Sequence, residues 1–190
     1  MKFAASNIAW PSDKRLQAYA ALAENGFEGL EIAPGLFFFD SQDPFVPSAR
    51  EHQRAMAEIA NAGLSLVSMQ SLLYGVEGAA LFEDDAALQR LEAGMANAIR
   101  LAGRLEIPNL VFGSPKQRII PAGMSPEKAI ERAVSVFSRI GDIAQSEGTK
   151  VAMEANPAVY DTNFLTDGEQ ALMFVRGVGH PAVRFILDIG

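Results

Sequence analysis

The chain has 190 residues, of which 49% are hydrophobic and 21% charged, a composition typical of a globular protein with one sizeable core. Its formal net charge is −7 and its Lys and Arg residues form no cluster, which argues against a nucleic acid as partner. It has no cysteine, which excludes disulfides and thiolate metal sites and fits, without requiring, a reducing cytoplasm.

The N-terminal stretch "MKFAASNIAWPSDKR" is a poor signal peptide, because Ser6 and Asn7 interrupt its apolar run. No run in the chain approaches the ~20 apolar residues of a membrane span. We therefore expect a soluble cytoplasmic protein with no membrane partner.

Six short apolar runs are rich in Val, Ile, Leu or Phe, and each is too short for a typical helix. We predict that they are strands. In chain order they are Phe3–Ala9, Gly29–Ala33, Leu64–Gln70, Asn109–Gly113, Lys150–Glu154 and Arg184–Asp188.

The helical patterns between these runs carry start and stop signals. Gly26, Gly63 and Gly148 each follow a helical pattern and precede a strand, where glycine supplies the left-handed turn that ends a helix. The helix starts show two capping-box spacings and one proline at the first helical position. These are Ser48 with Glu51, Thr166 with Glu169, and Ser125 before Pro126. Repeated strand–helix units without a linker predict one α/β domain over residues 1–190, with a parallel sheet.

Three features favour a barrel over an open, doubly wound sheet, although the length fits the open sheet better. The first strand is followed by "NIAWPSD", which lacks the glycine-rich loop of a dinucleotide-binding fold. Alternation along the last two strands places Glu154 and Asp188 at the end of one face of each strand, while the other face is apolar. In an open sheet covered by helices both faces should be apolar, whereas a barrel turns one face to its axis.

The third feature is that polar residues gather where the predicted strands end, because in barrels this carboxyl end carries the chemistry. They are Gln70, Ser71, Ser114, Lys116, Glu154, Asn156 and Asp188. The segments "GLEIAP", "LSLVSMQS", "NLVFGSPK", "KVAMEANP" and "RFILDIG" together resemble the xylose isomerase-like TIM barrels, the sugar phosphate isomerase/epimerase superfamily. The resemblance implies a (β/α)8 barrel of which about the first six βα units are present, with strands seven and eight missing at the C-terminus.

The resemblance also implies a metal site. In the family the Glu that ends strand five and the Asp that ends strand six bind a divalent metal, positions that correspond to Glu154 and Asp188. Oxygen ligands favour Mn²⁺ or Mg²⁺. The family reaction removes a proton next to a carbonyl group of a small sugar, which implies that Glu154 is also a catalytic acid or base. The remaining two ligands and the partner Glu would lie beyond residue 190, so this chain by itself is expected to be inactive.

Five further residues are candidates for contacts with substrate, and each has an ordinary alternative. Glu31 would bind a sugar hydroxyl or form an ion pair at the rim, and Asn156 would bind a hydroxyl or shape the turn before Pro157. Gln70 is a candidate contact at the end of the third strand. Lys116 would meet an anionic group or lie on the surface, and Trp10 would stack on a sugar or plug the barrel.

The aromatic loop "GLFFFDSQDPF" would either cover the mouth of the barrel or pack its rings underneath the loop. Neither His52 nor His180 is placed for metal binding. Two functions compete with the isomerase or epimerase. A DNA-repair endonuclease on the same barrel would need many histidines, and the chain has two. A non-catalytic binding or oligomerisation module would pair through the open edges of an incomplete sheet, giving a homo-oligomer.

Overall fold

The computed structural model describes residues 2–188. Six strands occur in this part of the chain, and each begins within three residues and ends within three residues of the run that predicts it. They are β1 Ala4–Ser6, β2 Gly29–Ile32, β3 Ser65–Met69, β4 Leu110–Phe112, β5 Val151–Glu154 and β6 Val183–Ile186.

The α-helices lie between successive strands. They are α1 Arg15–Glu24, α2 Pro34–Phe37, α3 Ala49–Asn61, α4 Asp85–Arg104, α5 Pro126–Ser146 and α6 Gly168–Val178. Short 3₁₀ turns cover Asn7–Ala9, directly after β1, Ser12–Lys14, directly before α1, and Pro115–Arg118 and Ala158–Tyr160, in the loops after β4 and β5. None of the helices within residues 2–188 combines the length and the apolar character needed to cross a membrane.

The strands pair in chain order, β1-β2-β3-β4-β5-β6, and all five pairings are parallel. A doubly wound sheet reverses its strand order at a switch point, and this sheet does not. Helix α4 contacts α5 and α5 contacts α6, as expected when consecutive crossovers of one hand stack their helices on one face of the sheet. The other face of the sheet then points toward the barrel axis. This arrangement is that of a barrel wall, and it confirms the predicted fold class.

The core fills the space between the sheet and this helix layer. Five phenylalanine rings continue through it in edge-to-face contacts with centroid distances of 4.9 to 5.6 Å. They are Phe82, Phe164, Phe174, Phe137 and Phe112, and all are buried. The rings join β4, α5 and α6 to Phe82 in the segment before α4 and to Phe164 in the loop after β5.

Strand β1 is shorter than predicted, because it ends at Ser6 and residues Asn7–Ala9 form a 3₁₀ turn. The buried side chain of Asn7 accepts a hydrogen bond from the N–H of Ala33 at 2.7 Å and donates to the carbonyl of Ala33 at 3.4 Å. The side chain of Asn7, and not its backbone, therefore pairs with the backbone of the residue that follows β2, and β1 ends before it.

Two predicted helix starts are confirmed and one is wrong. Ser48 and Glu51 form the full capping box of α3, and Ser125 caps α5 ahead of Pro126. The N-cap of α6 is Asp167 instead of Thr166, since the Asp167 carboxylate accepts the N–H of Gln170 at 2.8 Å. Asp and Thr both cap helices, so two neighbouring candidates could not be separated by spacing alone.

Candidate functional site

An open cavity of about 1120 Å³ lies at the carboxyl ends of the strands. Residues from or just after every strand contribute to it, so it sits where the inner face of the wall meets the loops. Its polar lining comprises Glu31, Gln70, Ser71, Tyr74, Ser114, Gln117, Glu154, Asn156, Tyr160, Thr166, Asp167 and Asp188.

Glu154 is the last residue of β5 and its carboxylate is half-buried in this cavity. Burial raises the pKa of Glu154 above its usual value, and the negative charges of Asp188 and Glu31 raise it further. A hydrogen bond from Asn156 and the positive charge of Arg118 act in the opposite direction. The site therefore holds a carboxylate that takes up a proton more readily than an exposed one.

Asp188 lines the same cavity as Glu154. The β5–β6 register pairs Glu154 with Ile186, the last residue of β6, so Asp188 follows two residues beyond the end of that strand. Two carboxylates, one at the end of β5 and one just after β6, therefore line one cavity.

Glu31 and Gln70 are joined by a hydrogen-bond network across the first three strands. The side-chain N–H₂ of Gln70 donates to the Glu31 carboxylate at 2.6 Å and to the hydroxyl of Ser6 at 2.8 Å. Both Glu31 and Gln70 line the cavity, so the network orients an acceptor and an amide toward its interior.

Arg118 supports the site from behind, and sequence reasoning missed it. The side chain is completely buried, and it donates to the carbonyl of Glu154 at 2.9 Å and to Oδ1 of Asn156 at 2.6 Å. Burial lowers the pKa of Arg118 to about 10, so it stays protonated at neutral pH.

Arg118 also fixes the direction of the Asn156 amide. With Oδ1 of Asn156 facing the guanidinium, its Nδ2 faces Glu154 and donates to Oε1 at 2.8 Å. The carboxylate is therefore held as an acceptor by a two-step chain of hydrogen bonds. The sequence offered no signal for this role beyond an arginine in the loop after β4.

Gly113 leaves the room that the Glu154 carboxylate occupies. A Cβ atom built on Gly113 would lie 2.9 Å from Oε2 of Glu154 and 3.3 Å from Oδ1 of Asn156. Both distances are too short for ordinary contact, so a side chain at this position would displace the carboxylate.

Ser71 and Ser114 stand in the same place after β3 and β4, two residues beyond the strand end, and both adopt left-handed backbone conformations, with φ of 56° and 43°. Such values are uncommon for residues other than glycine and cost free energy. Both serines line the cavity, and their strained turns carry Gln70 and Gly113 into its wall.

Comparison with known proteins agrees with this architecture. Residues 19–190 match the model of the xylose isomerase-like TIM barrel family. The chain belongs to this family. No curated protein matches the chain.

Three solved structures illustrate the likeness. D-psicose 3-epimerase from Clostridium cellulolyticum H10, solved with D-tagatose, is 17% identical at a TM-score of 0.73, covering 97% of this chain and 62% of that one. A xylose isomerase-like TIM barrel protein from Mycobacterium smegmatis, in complex with magnesium, is 17% identical at a TM-score of 0.61, covering 95% and 58%. An AP endonuclease, family 2, from Brucella melitensis is 19% identical at a TM-score of 0.67, covering 100% and 69%. At these identities the likeness concerns the fold, and the chain spans about three fifths of the length of the first two.

Two predicted substrate contacts do not line the cavity of this xylose isomerase-like chain. Trp10 packs edge-on against the buried ring of Tyr19, with centroids 6.3 Å apart, because the 3₁₀ turn after β1 carries it away from the mouth. Lys116 is exposed on the 3₁₀ turn Pro115–Arg118 after β4, and it is Pro115 and Gln117 of this turn that line the cavity.

The aromatic loop after β2 packs instead of covering the mouth. Phe37 and Phe38 are buried in the core, and Phe39 lies beneath the guanidinium groups of Arg15 and Arg54, 4.8 and 5.6 Å from its ring centroid. None of these three rings lines the cavity, so the loop belongs to the framework of the domain.

The donor set of the cavity fits part of a divalent metal site. Within residues 2–188, no group of three or more His, Cys, Asp or Glu side chains is placed to hold an ion. Glu154 and Asp188 do supply carboxylate oxygens to one cavity, and the pKa of Glu154 is raised first by burial and then by the charge of Asp188. Oxygen ligands of this kind suit Mg²⁺ or Mn²⁺.

Proposed function

We propose that the protein is a divalent-metal-dependent isomerase or epimerase of a small sugar or sugar derivative. The observation that carries the proposal is the presence of Glu154 and Asp188 in one cavity at the carboxyl end of a barrel wall. Membership of the xylose isomerase-like family supports it. Because the chain spans about three fifths of the length of similar solved structures, the activity is proposed for the whole protein.

Glu154 and Asp188 would hold the cation, Mn²⁺ or Mg²⁺. When bound, such an ion makes a neighbouring carbonyl group easier to enolise by drawing charge from its oxygen. This chain contributes the geometry: Asn156 holds one oxygen of Glu154 at 2.8 Å, and Gly113 leaves space for the other.

Glu154 would also serve as the acid or base. Its carboxylate would take the proton from the carbon next to the carbonyl, leaving the electron pair on the enolising carbon–oxygen unit, and later return a proton. Burial raises its pKa, which brings proton uptake closer to neutral pH and so suits the role. Gln70, Glu31 and Asn156 would bind the hydroxyl groups of the sugar.

Two D-psicose 3-epimerases with structures solved in the presence of D-fructose or with D-tagatose share this fold. Free ketoses are therefore the first compounds to test. In D₂O with Mn²⁺, the whole protein should introduce deuterium at the carbon next to the carbonyl of at least one ketose or aldose, as followed by NMR. Glu154→Gln should lose the exchange, whereas Asp84→Asn, a helix cap outside the cavity, should keep it. No exchange into any compound by folded protein would refute the proposed reaction.

A DNA-repair endonuclease is the second candidate, because an AP endonuclease of family 2 shares the fold. The cavity argues against it. Among the described residues that line the cavity there is no Lys, Arg or His, and four are carboxylates, which would repel a phosphate backbone. Cleavage of a duplex that contains an abasic site would revive this function.

A binding or oligomerisation module is the non-catalytic alternative. In the part of the chain that the structure describes, β1 and β6 each pair with one strand, which leaves one edge of each for another strand. A specific dimer in sedimentation velocity, together with no Mn²⁺ uptake, would favour this alternative over the enzyme.

A further inference from the structure

The loop after β5 folds back on itself and carries two asparagines. The N–H of Asn156, at its start, donates to the carbonyl of Leu165, near its end, at 3.1 Å. Between them the buried hydroxyl of Thr162 accepts from the N–H of Phe164 at 3.4 Å, and Phe164 is itself buried. Asn156 is buried, whereas Asn163 is exposed. One closed loop therefore carries a buried and an exposed asparagine.

Both asparagines bind the loop after β4. Asn156 accepts a hydrogen bond from Arg118 through its Oδ1 at 2.6 Å. Two residues farther along the same loop, Asn163 bonds to both backbone groups of Ile120. Its Oδ1 accepts from the Ile120 N–H at 2.7 Å, and its Nδ2 donates to the Ile120 carbonyl at 3.0 Å. The two loops are thus joined at two points, one buried and one exposed.

Arg118 needs support from its surroundings, because its burial is poorly compensated. The side chain is completely buried, and its terminal nitrogens donate to the Glu154 carbonyl and to Asn156. Its Nε is buried as well and has no hydrogen-bond partner within residues 2–188. A buried guanidinium with an unpaired donor would gain solvation free energy by turning out to water. The backbone around Arg118 must therefore be held in place for the side chain to stay buried.

Hydrogen bonds anchor the loop after β4 on both sides of Arg118. Before it, the carbonyl of Gln117 accepts a backbone N–H from the segment that precedes α4, at 2.7 Å. After it, Asn163 pairs with both backbone groups of Ile120. Residues 121–123, which follow, are exposed. Asn163 therefore supplies the side-chain hydrogen bonds that hold the far end of the segment carrying Arg118.

We infer that Asn163, an exposed residue that does not line the cavity, is a positioning residue for the Glu154 carboxylate. It holds the segment that keeps Arg118 buried, and Arg118 turns the Asn156 amide so that its Nδ2 donates to Glu154 at 2.8 Å. When this hold is lost, Arg118 moves toward water, the amide turns freely, and the carboxylate loses its donor. The role rests on the proposed function, in which Glu154 binds the cation and moves the proton.

The amide of Asn156 reports on this role without any metal. In the whole, metal-free protein its side-chain signal can be followed by nitrogen–proton correlation NMR and assigned by its absence from Asn156→Ala. We expect Asn163→Ala to shift this signal toward the position of solvent-exposed asparagines and to speed its hydrogen exchange with water. Asn97→Ala, which removes an exposed asparagine from α4, should leave the signal in place.

An unchanged Asn156 signal in folded Asn163→Ala would overturn the inference. Asn163→Asp provides the same comparison if the alanine variant does not fold, because a carboxylate accepts from the Ile120 N–H but cannot donate to the Ile120 carbonyl.

Mn²⁺ affinity separates positioning from a general loss of stability. Asn163→Ala should weaken Mn²⁺ binding about three- to tenfold, at or below the low end of the about 10- to 100-fold cost of losing a residue that directly supports a metal ligand. If Asn163 acts through the amide, the same substitution in the Asn156→Ala background should cause no further loss. Losses that add independently in the double variant would contradict the inference, because they would show an effect that bypasses Asn156.

The positioning role and the proposed function fail in different ways. If the whole protein binds no Mn²⁺ and exchanges no deuterium into any sugar, the proposed function is wrong, and the Asn156 signal still decides whether Asn163 positions the amide. If Asn163→Ala changes neither the signal nor the affinity while the unaltered protein binds Mn²⁺, the positioning role is wrong and the proposed function stands.

Discussion

Replacing Gly113 by alanine should disturb the geometry of the candidate site while it leaves the stability of the barrel wall nearly unchanged. Gly113 does not have a left-handed φ, so alanine can adopt its backbone conformation. The added methyl group would lie 2.9 Å from Oε2 of Glu154 and 3.3 Å from Oδ1 of Asn156. The substitution therefore acts on the carboxylate and on the amide that holds it, and hardly on the core.

The size of the effect follows from these distances. A comfortable contact requires roughly 3.5 Å, so the carboxylate must move by about 0.6 Å or rotate away from Asn156. Loss of such a supporting hydrogen bond usually weakens metal binding by about 10- to 100-fold. Folding stability should change by less than about 1 kcal/mol, because the restriction that alanine places on the unfolded chain offsets the cost of the displaced hydrogen bond.

The assay pairs Mn²⁺ titration, followed by the EPR signal of free Mn²⁺, with thermal unfolding followed by circular dichroism. Gly168→Ala is the matched control, since Gly168 also lines the cavity but its new methyl group would meet only Phe185, at 3.6 Å. We expect Gly113→Ala to bind Mn²⁺ at least about tenfold more weakly than Gly168→Ala. Equal affinities would refute the claim that Gly113 reserves the space for Glu154.

Other substitutions test the surrounding structure. Gly141→Ala would place a methyl group 2.5 Å from the ring of His180, so it should lower the free energy of unfolding in urea by about 1–3 kcal/mol. In Gly177→Ala the nearest atom to the new methyl group would be 3.8 Å away, so this control should stabilise α6 by up to about 1 kcal/mol. Burial raises the pKa of Glu154 in the folded protein, so the protonated side chain contributes to folding stability at low pH. This contribution is lost as the pH rises through that pKa. Glu154→Gln should therefore raise the melting temperature more at pH 7 than at pH 4, and an equal change would contradict the burial argument. Asn156→Ala removes a hydrogen bond that lowers the pKa of Glu154, so the pH at which acid half-abolishes Mn²⁺ binding should move upward, and a shift downward would exclude that role.

The order of elements was accessible from the sequence because each signal is local. Alternating apolar residues define the strands, and the glycines that follow α1, α3 and α5 do adopt the left-handed conformation, with φ of 76°, 68° and 73°. The shared face of Glu154 and Ile186 likewise follows from the two-residue period of a strand, once β5 and β6 are neighbours.

The contacts that the sequence did not reveal depend on distant residues. Asn7 ends β1 early by bonding to Ala33, 26 residues away, and Arg118 is buried by bonding to Asn156, 38 residues away. Arginine is usually exposed, so nothing local marks Arg118 as a supporting residue. The position of Trp10 depends in turn on the turn that Asn7 starts.

The most direct test of the account asks whether Glu154 and Asp188 bind one cation. Mn²⁺ affinity should be measured for the whole protein and for Glu154→Gln, Asp188→Asn and the double variant, with Asp84→Asn as control. We predict that either single substitution removes the same site, that the double variant loses no more than either, and that the control binds normally. Unchanged binding in either single variant, or two losses that add independently, would contradict a shared cation site.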